Sequence, residues 1–319
     1  MIDSRLPLLD LHRHIEGSVR LETVLDLGRA HRVPLPARDV EGLRPYVQVT
    51  EPQPGVMAFI ARFAWIQRVL ADADACRRIA YESVVDARRE GLDYVELRFS
   101  PWFMAEAHAL DPAAVVAAVA EGIEEGRRET RIGVGLIGIL SRTYGVEACR
   151  AELQALLTRR DAIVALDLAG DETHFPCPLF VEHFRIARDA GWRVTIHAGE
   201  AAGPENVWSA IRDLGATRIG HGVHAMEDPA LVAHMAEHRI GIEANLTSNV
   251  QTTTVPDYAS HPMKRMLAAG LVASLNTDDP AISGITLAHE YEVAAPAAGL
   301  TRDEILRAQA NAAATAFRG

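Results

Sequence analysis

Short apolar segments alternate with helical segments along most of this 319-residue chain, and this alternation constrains the fold more than any other feature. Eight of the apolar segments are predicted to be buried strands: Leu6–His14, Tyr94–Ser100, Ile132–Leu140, Ile163–Gly170, Val194–Glu200, Arg218–Val223, Gly241–Asn249 and Leu271–Asp279. Nearly continuous apolar strands separated by helices indicate a parallel sheet covered by helices, and eight repeats favour a closed barrel. The sequence therefore predicts an α/β fold of the (β/α)8, or TIM-barrel, type.

The segments between the predicted strands carry apolar residues at helical spacing. The clearest helices are Ala75–Glu90, Pro112–Thr130, Leu179–Gly191, Val207–Gly215 and Pro229–Arg239. Residues 19–93, between the first two strands, are too many for one helix; five prolines interrupt the first half, and Met57–Leu70 has a helical pattern. We expect a helical insertion that forms a lid near the barrel mouth, with an elaborated loop without a catalytic role as the alternative. No linker divides the chain, so residues 1–319 are expected to form one domain.

Composition and charge exclude several classes of partner. No stretch approaches the roughly 20 apolar residues of a membrane span, and the first residues lack a secretory pattern. Cys76, Cys149 and Cys177 are far apart in sequence, which is typical of unpaired thiols in a reducing cytoplasm. A formal net charge of −11 argues against a phosphate-binding surface. We therefore expect a cytoplasmic protein with no nucleic-acid or membrane partner; its oligomeric state stays open.

Chemically reactive side chains follow the predicted strands, at the end where a barrel of this type places its active site. The first strand ends in His12-Arg13-His14, and residues two apart on a strand face the same way, so both imidazoles can reach one metal ion. The fifth strand adds His197 and the eighth adds Asp278. Three histidines and one aspartate are a donor set suited to zinc, and a catalytic zinc keeps one position open for water.

The same strand ends supply groups for proton transfer. Zinc lowers the pKa of bound water to roughly 7. If Asp278 is a ligand, His221 at the end of the sixth strand could orient the hydroxide and shuttle its proton, while Glu200 could protonate the substrate. Adjacent residues on an extended segment point in opposite directions, so Asp279 could contact the substrate; a cap for the following turn is the alternative.

The remaining histidines and the lysine content limit the number of metal ions. Nine of the 13 histidines lie in predicted helices or loops and are expected to be exposed or structural. Two-metal hydrolases often bridge their ions through a modified lysine, and the fourth predicted strand, Ile163–Gly170, contains no lysine. One metal ion is therefore favoured.

Six motifs resemble, in order, those of the adenosine deaminase family: LHRHIEG, ALDLAGDE, HAGEAAGPE, RIGHGVHA, LTSN and SLNTDDP. The similarity extends from about Leu6 to Phe317. It implies one zinc ion per chain, bound by His12, His14, His197 and Asp278.

The resemblance also implies substrate contacts and a reaction. Glu200 would donate a proton to N1 of the purine, His221 would assist the hydroxide, Gly170 would offer its backbone N–H to N3, and Asp279 would contact N7. Residues near the substrate would thus include His14, Glu16, Gly170 and Asp279. The expected reaction is attack at C6 and loss of ammonia, which converts adenosine and 2′-deoxyadenosine to inosine and 2′-deoxyinosine.

Glu16 departs from the family pattern. Adenosine deaminases usually carry an aspartate two residues after the second histidine, whereas a glutamate is more usual in relatives that act on other adenine compounds. If the strand geometry persists beyond His14, we expect the Glu16 carboxylate to accept a hydrogen bond from the ribose 5′-hydroxyl. The alternative substrates are 5′-modified adenosines such as aminodeoxyfutalosine, or free adenine.

Two further hypotheses belong to other classes of function. The first is metal-assisted hydrolysis of an amide or phosphoester, against which the HAGE motif and the missing lysine of the fourth strand both argue. The second is a purine-binding protein without activity. The presence of Glu200, His221 and all four candidate ligands argues against that hypothesis.

Overall fold

Eight parallel strands form the centre of the computed structural model, which describes residues 1–318. They are β1 (Leu9–His14), β2 (Tyr94–Phe99), β3 (Gly133–Ser141), β4 (Ala165–Ala169), β5 (Arg193–Ala198), β6 (Arg218–His221), β7 (Gly241–Ala244) and β8 (Val272–Leu275). Each strand pairs with the next along the chain. The segment after β8 returns to β1, where Asp278 N–H donates to His12 O (2.8 Å) and His14 N–H donates to Asp278 O (2.8 Å). The predicted barrel is confirmed.

Helices connect and surround the strands. They are α1 (Leu21–Ala30), α2 (Val40–Val47), α3 (Val56–Ile60), α4 (Ala64–Val69), α5 (Ala73–Arg89), α6 (Pro101–Glu106), α7 (Pro112–Thr130), α8 (Gly145–Leu157), α9 (Val181–Asp189), α10 (Pro204–Ser209), α11 (Pro229–Glu237), α12 (Leu246–Gln251), α13 (Met263–Ala268), α14 (Pro280–Ser283), α15 (Leu287–His289), α16 (Ala295–Ala297) and α17 (Arg302–Thr315). Short 3₁₀ segments are Glu16–Ser18, Ala61–Phe63, Arg142–Tyr144, Arg160–Ala162, Cys177–Phe180, Val223–Glu227 and Tyr258–Ser260, and π segments are Ala210–Leu214 and Glu290–Ala294. None of the helices in residues 1–318 combines the length and apolarity needed to cross a membrane.

The seventh and eighth strands are shorter than their apolar sequences predict. The seventh was expected over Gly241–Asn249, but β7 ends at Ala244 and α12 begins at Leu246. The buried carboxylate of Glu290 accepts hydrogen bonds from the first two N–H groups of α12, on Leu246 (3.2 Å) and Thr247 (3.0 Å). Periodicity alone cannot distinguish a buried strand from a short buried helix. Here the N-terminus of the helix is stabilised by a carboxylate that is distant in sequence.

Residues between β1 and β2 form five helices, α1 to α5. The segment Met57–Leu70, predicted to be helical, is divided into α3, a 3₁₀ turn and α4. Its aromatic residues pack over the barrel: the Phe59 and Phe63 ring centroids are 6.1 Å apart, and Phe63 meets Phe103 of α6 edge to face at 6.0 Å. This packing places the apolar face of the segment at the carboxyl ends of the strands.

The interior of the barrel is polar, while its outer surface packs against the helices. In β2, the apolar Val95, Leu97 and Phe99 belong to the core shared with the helices, whereas Glu96 and Arg98 are buried and charged. Successive strand residues point to opposite faces, so this alternation puts the charged side chains inside the barrel. Charged side chains buried in a barrel core require oppositely charged or hydrogen-bonding partners.

Candidate metal centre and active site

The carboxyl ends of β1 and β5 and the segment after β8 bring the four predicted ligands together. His12 Nε2 lies 3.1 Å from Asp278 Oδ1, and His14 Nε2 lies 3.3 Å from the same oxygen. His14 Nε2 is also 3.3 Å from His197 Nε2. Because Asp278 bonds to the backbone of β1, closure of the barrel is what delivers the carboxylate to the histidines.

Proximity alone does not single out one set of ligands. Donor atoms within 4.8 Å of one another form two groups that share Asp278: one contains His12, His197 and His221, and the other contains His14 and Asp279. The hydrogen bonds of each imidazole provide a further criterion, because a ring nitrogen binds a metal only through a free lone pair.

Two of the histidines are oriented by buried carboxylates. His12 Nδ1 is 2.6 Å from Glu243 Oε2, and His197 Nδ1 is 2.9 Å from Asp167 Oδ2. An ionised carboxylate only accepts, so each Nδ1 carries the hydrogen and each Nε2 keeps its lone pair. His12 Nε2 is buried and makes no hydrogen bond, although it faces Asp278 Oδ1. Two electron-rich atoms in buried contact fit a cation between them, as in metal sites whose histidines are backed by carboxylates.

Buried arginines form ion pairs with these carboxylates. Arg98 donates to Asp167 Oδ2 (2.8 Å) and to Glu243 Oε2 (2.8 Å), and Arg218 bonds to Glu243 and Glu96. We call these five residues the charged floor. Burial alone would raise the pKa of Asp167 and Glu243, but His197 and Arg98 hold the first well below its usual range, and Arg218 and Arg98 hold the second. Both carboxyls are therefore ionised.

Glu200 lies buried in the turn after β5. Burial raises the pKa of its carboxyl well above the usual range, and the nearby charge of Asp278 raises it further. Its Oε1 is 3.5 Å from His221 Nδ1, and no Lys or Arg within residues 1–318 forms an ion pair with it. A carboxyl in this environment favours the protonated form and is suited to donate a proton.

The turn that carries Glu200 is held by Glu172. This buried carboxylate accepts four backbone N–H hydrogen bonds: from Gly199 (2.6 Å) and Glu200 (3.2 Å) through separate oxygens, and from Ala201 (3.0 Å) and Ala202 (3.3 Å). Four donors on one carboxylate fix the backbone of the turn. Sequence reasoning missed this role, although Glu172 lies within the ALDLAGDE motif.

Two site residues have strained backbones. His221 has φ of +64° and Asp278 has φ of +62°, in the left-handed region that non-glycine residues rarely occupy. Such strain persists only where the surroundings impose it and is common at active sites. The expectation that Asp278 and Asp279 point oppositely on an extended segment is wrong, because the left-handed turn at Asp278 directs both side chains into one cavity.

Asp279 faces the cavity rather than capping the next helix. It occupies the position before α14, but its side chain makes no capping hydrogen bond there. Its carboxylate lies against Gly17, where a Cβ atom would be only 1.8 Å from Oδ1. The glycine of the LHRHIEG motif therefore provides the space for Asp279, and Oδ1 is buried without a hydrogen-bond partner.

Glu16 reaches the same cavity by a different path from the one expected. The strand geometry does not persist beyond His14, because Glu16 begins a 3₁₀ segment. Its Oε1 accepts a hydrogen bond from Ser100 N–H (2.8 Å), and its Oε2 is buried without a partner. Burial raises the pKa of Glu16 to about 7. The neighbouring Glu152 accepts a hydrogen bond from Ser100 Oγ (2.6 Å), and burial likewise raises its pKa to about 7.

A cavity of about 210 Å³ connects these groups. Gly170, at the end of β4 with φ of +106°, lines it, and a Cβ there would meet Thr143 Oγ1 at 2.3 Å. The opposite side of the cavity is apolar and comes mostly from the segment after β1: Val56, Met57, Phe59, Ile60, Phe63 and Phe103. All the predicted site residues except the fully buried His12 line this cavity, which combines polar groups at its base with an apolar wall.

Comparison with known proteins identifies close relatives. A family model described as adenosine deaminase matches residues 7–318. The adenosine deaminase of Klebsiella pneumoniae is 59% identical over 319 residues, which cover 100% of this chain and 96% of that protein. The adenosine deaminase of Edwardsiella ictaluri is 56% identical over 317 residues, covering 99% of this chain and 95% of the relative.

Solved structures share the architecture. An amidohydrolase from Burkholderia ambifaria with bound Zn has a TM-score of 0.90 at 27% identity, covering 100% of this chain and 90% of that chain. An adenine deaminase from Arthrobacter aurescens also has a TM-score of 0.90, at 24% identity, with coverage of 98% and 94%. The second match establishes the similarity of fold alone.

Proposed function

Because this chain belongs to the adenosine deaminase family, it is a hydrolase that deaminates adenosine to inosine, and we propose that its buried histidine–aspartate group binds one zinc ion. The observation that carries the proposal is the contact between His12 Nε2, a lone-pair donor, and Asp278 Oδ1, 3.1 Å apart without a hydrogen bond. His14 and His197 complete a set of nitrogen and oxygen donors that zinc prefers. The zinc in the Burkholderia ambifaria structure supports the choice of metal.

The chain's own residues would supply the proton transfers. Zinc at such a site activates water for nucleophilic attack near neutral pH. As water adds to C6 of the purine, Glu200 would donate its proton to N1, where electron density accumulates. One proton of the added water would leave with the amino group as ammonia, and the other would return to Glu200, so that inosine remains. Glu172 would keep Glu200 in place through the backbone of its turn.

Substrate orientation would depend on groups around the cavity. Asp279, which lines the cavity and has an unpartnered Oδ1, would contact N7, and the backbone N–H of Gly170 would contact N3. Glu16 would accept a hydrogen bond from the ribose 5′-hydroxyl through its free Oε2. The apolar wall formed by Phe59, Phe63 and their neighbours would exclude water from the bound purine nucleoside.

The organisation of the chain is part of the same proposal. The larger of two hydrophobic clusters includes residues from Leu8 to Ala308, which supports a single domain over residues 1–319. The apolar residues of α3 that line the cavity support a lid within residues 19–93. The net charge of −11 supports a small-molecule partner rather than a nucleic acid. The three free, buried cysteines support a location in the reducing cytoplasm.

A substrate panel and a metal analysis test this function. Purified protein is incubated with adenosine, 2′-deoxyadenosine, 5′-deoxyadenosine and adenine, and the loss of adenine absorbance is followed together with ammonia release. We expect the highest kcat/KM for adenosine and 2′-deoxyadenosine, and one zinc per chain by elemental analysis. Preference for adenine or a 5′-modified nucleoside would overturn the substrate assignment, and two metal ions per chain would overturn the site.

A further inference from the structure

His221 has a different hydrogen-bond environment from the carboxylate-backed histidines. Its Nδ1 is 2.9 Å from the side-chain amide nitrogen of Asn249, in the middle of α12. Its other nitrogen, Nε2, faces the proposed metal centre, 3.8 Å from Asp278 Oδ2. His221 and Asn249 are both fully buried, so the direction of their hydrogen bond decides which ring nitrogen carries the hydrogen.

A backbone N–H group fixes that direction through a chain of three hydrogen bonds. Met263 N–H donates to His261 Nδ1 (3.1 Å), and a backbone amide can only donate. His261 therefore carries its hydrogen on Nε2, which lies 3.1 Å from Asn249 Oδ1 and donates to it. The amide of Asn249 is thereby oriented with its nitrogen toward His221, and His221 Nδ1 must accept.

Two other neighbours of His221 do not compete with this assignment. The amide nitrogen of Asn245 is 3.4 Å from Nδ1 and 3.3 Å from Nε2, so it favours neither nitrogen. Glu200 Oε1 lies 3.5 Å from Nδ1, which is too far for a strong hydrogen bond. A hydrogen on Nδ1 pointing at Glu200 would also face the N–H of Asn249 at 2.9 Å, and two donors at that distance repel.

We propose that Asn249 and His261 are positioning residues that lock His221 as the Nε2–H tautomer, with its hydrogen directed to the metal side of the cavity. The proposal rests on the proposed function, because it assigns His221 a role in that reaction. His221 then has no lone pair for a metal at Nε2, which separates it from His12 and His197 despite their proximity. It also donates a hydrogen bond to the attacking oxygen and does not remove a proton from it at Nε2.

The tautomer can be measured directly. Protein labelled with ¹⁵N in its histidine rings is studied by long-range ¹H–¹⁵N NMR, in which protonated and unprotonated ring nitrogens have well-separated shifts. The His221 signals are assigned by comparison with His221→Asn. We expect Nε2 of His221 protonated and Nδ1 unprotonated, in zinc-loaded protein and after chelation of the metal. A proton on Nδ1 instead would overturn the proposal.

Substitutions of Asn249 and His261 test how the His221 tautomer affects turnover. Asn249→Asp has nearly the same shape but accepts at both ends, so it should move the His221 proton to Nδ1. We expect kcat to fall about 10- to 100-fold, the usual range for residues that orient ligands, with KM changed less than three-fold and zinc still near one per chain. His261→Gln keeps a donor near the position of Nε2 and should restore most of the activity that His261→Leu loses.

A matched control separates this role from loss of a buried histidine. His183 is buried and bonds Val146 O through Nε2 (3.1 Å), away from the cavity. His183→Gln should leave the His221 tautomer and kcat unchanged. Unchanged tautomer and kcat in Asn249→Asp would overturn the proposal. Absence of zinc or of adenosine turnover in the wild-type protein would instead contradict the proposed function, whereas the His221 tautomer is read independently of both.

Discussion

Two sets of buried carboxyls occupy the same barrel under opposite electrostatic conditions. In the charged floor, Asp167 and Glu243 are paired with arginines. His197 and Arg98 keep the pKa of Asp167 well below the usual range, and Arg218 and Arg98 do the same for Glu243. The second set, which we call the unpaired carboxyls, has no ion pair with Lys or Arg in residues 1–318, and its pKa values are raised by burial: Glu16, Glu152, Glu200 and Asp279. The carboxylates of the charged floor are thus ionised and orient His12 and His197. The unpaired carboxyls can instead hold a proton or bind a ligand.

The largest effect is expected when the proton of Glu200 is made untransferable. Glu200→Gln keeps the shape and neutral charge of the protonated carboxyl, so fold and zinc content should be unchanged. Turnover should fall by roughly 10²–10⁴-fold, the size of a general acid–base contribution. The control is Glu205→Gln, an exposed residue in the first turn of α10, which should retain normal kinetics. Near-normal deamination by Glu200→Gln would assign the proton transfer to another group.

Removal of a floor cation should affect stability and metal binding together. Arg98→Met leaves Asp167 without its arginine and weakens the support of Glu243, and an uncompensated buried charge costs about 3–5 kcal/mol. We also expect zinc affinity to fall about 10- to 100-fold, because the carboxylates that orient His12 and His197 are disturbed. Denaturant unfolding and competition with a chelator measure the two quantities. Arg128→Met, which breaks only an exposed pair with Glu124, should change neither.

Glu152 tests whether the unpaired carboxyls titrate as their environment predicts. Its pKa is raised from 4.5 to about 7, so the folded state binds the proton more tightly, and this stabilisation is lost as the pH rises through about 7. Glu152→Gln removes the titration. Relative to that of the variant, the free energy of unfolding of the wild type should therefore fall by up to about 3 kcal/mol between pH 4.5 and 7.5.

The control for this measurement lies on the same helix. Glu147 is exposed, and Glu147→Gln should show the same difference from wild type at both pH values. Urea unfolding of the three proteins at each pH gives the comparison. A pH-independent difference for Glu152→Gln would mean that Glu152 is ionised throughout and that its hydrogen bonds from Ser100 Oγ, Trp102 N–H and Ser141 N–H outweigh burial.

The smallest effect concerns Glu16 and the sugar. If its free Oε2 accepts the ribose 5′-hydroxyl, then 5′-deoxyadenosine leaves a buried carboxyl without a partner. We expect kcat/KM to fall ten-fold or more relative to adenosine, which corresponds to about 1.4 kcal/mol. Equal or better turnover of the 5′-deoxy compound would reject the contact and favour a 5′-modified nucleoside as substrate.

The sequence was sufficient to predict the barrel and the convergence of His12, His14, His197 and Asp278. Alternating apolar strands and helices specify the topology, and residues at the ends of parallel strands meet at one face whatever the details of the loops. The interpretation of the other histidines as exposed or structural left out His261, which is buried and contacts the site through Asn249.

The supporting residues were not predictable by the same reasoning. Arg98 and Glu243 lie within strands that are far apart in sequence, and only the closed barrel shows that they share one interior. Asn249 was placed in a strand, because an apolar run does not reveal that Glu290 starts a helix at Leu246. The left-handed turn at Asp278 likewise occurs where the chain pairs with β1, and the local sequence does not reveal that contact.

The central claim is that one zinc ion is bound by His12, His14, His197 and Asp278, with His221 beside it but not coordinated. A crystal structure of the purified, metal-loaded protein, with anomalous data on both sides of the zinc absorption edge, tests this most directly. The account predicts one zinc peak per chain, within coordination distance of those three imidazole nitrogens and the Asp278 carboxylate. Two peaks, or one peak coordinated by His221 in place of His14, would contradict it.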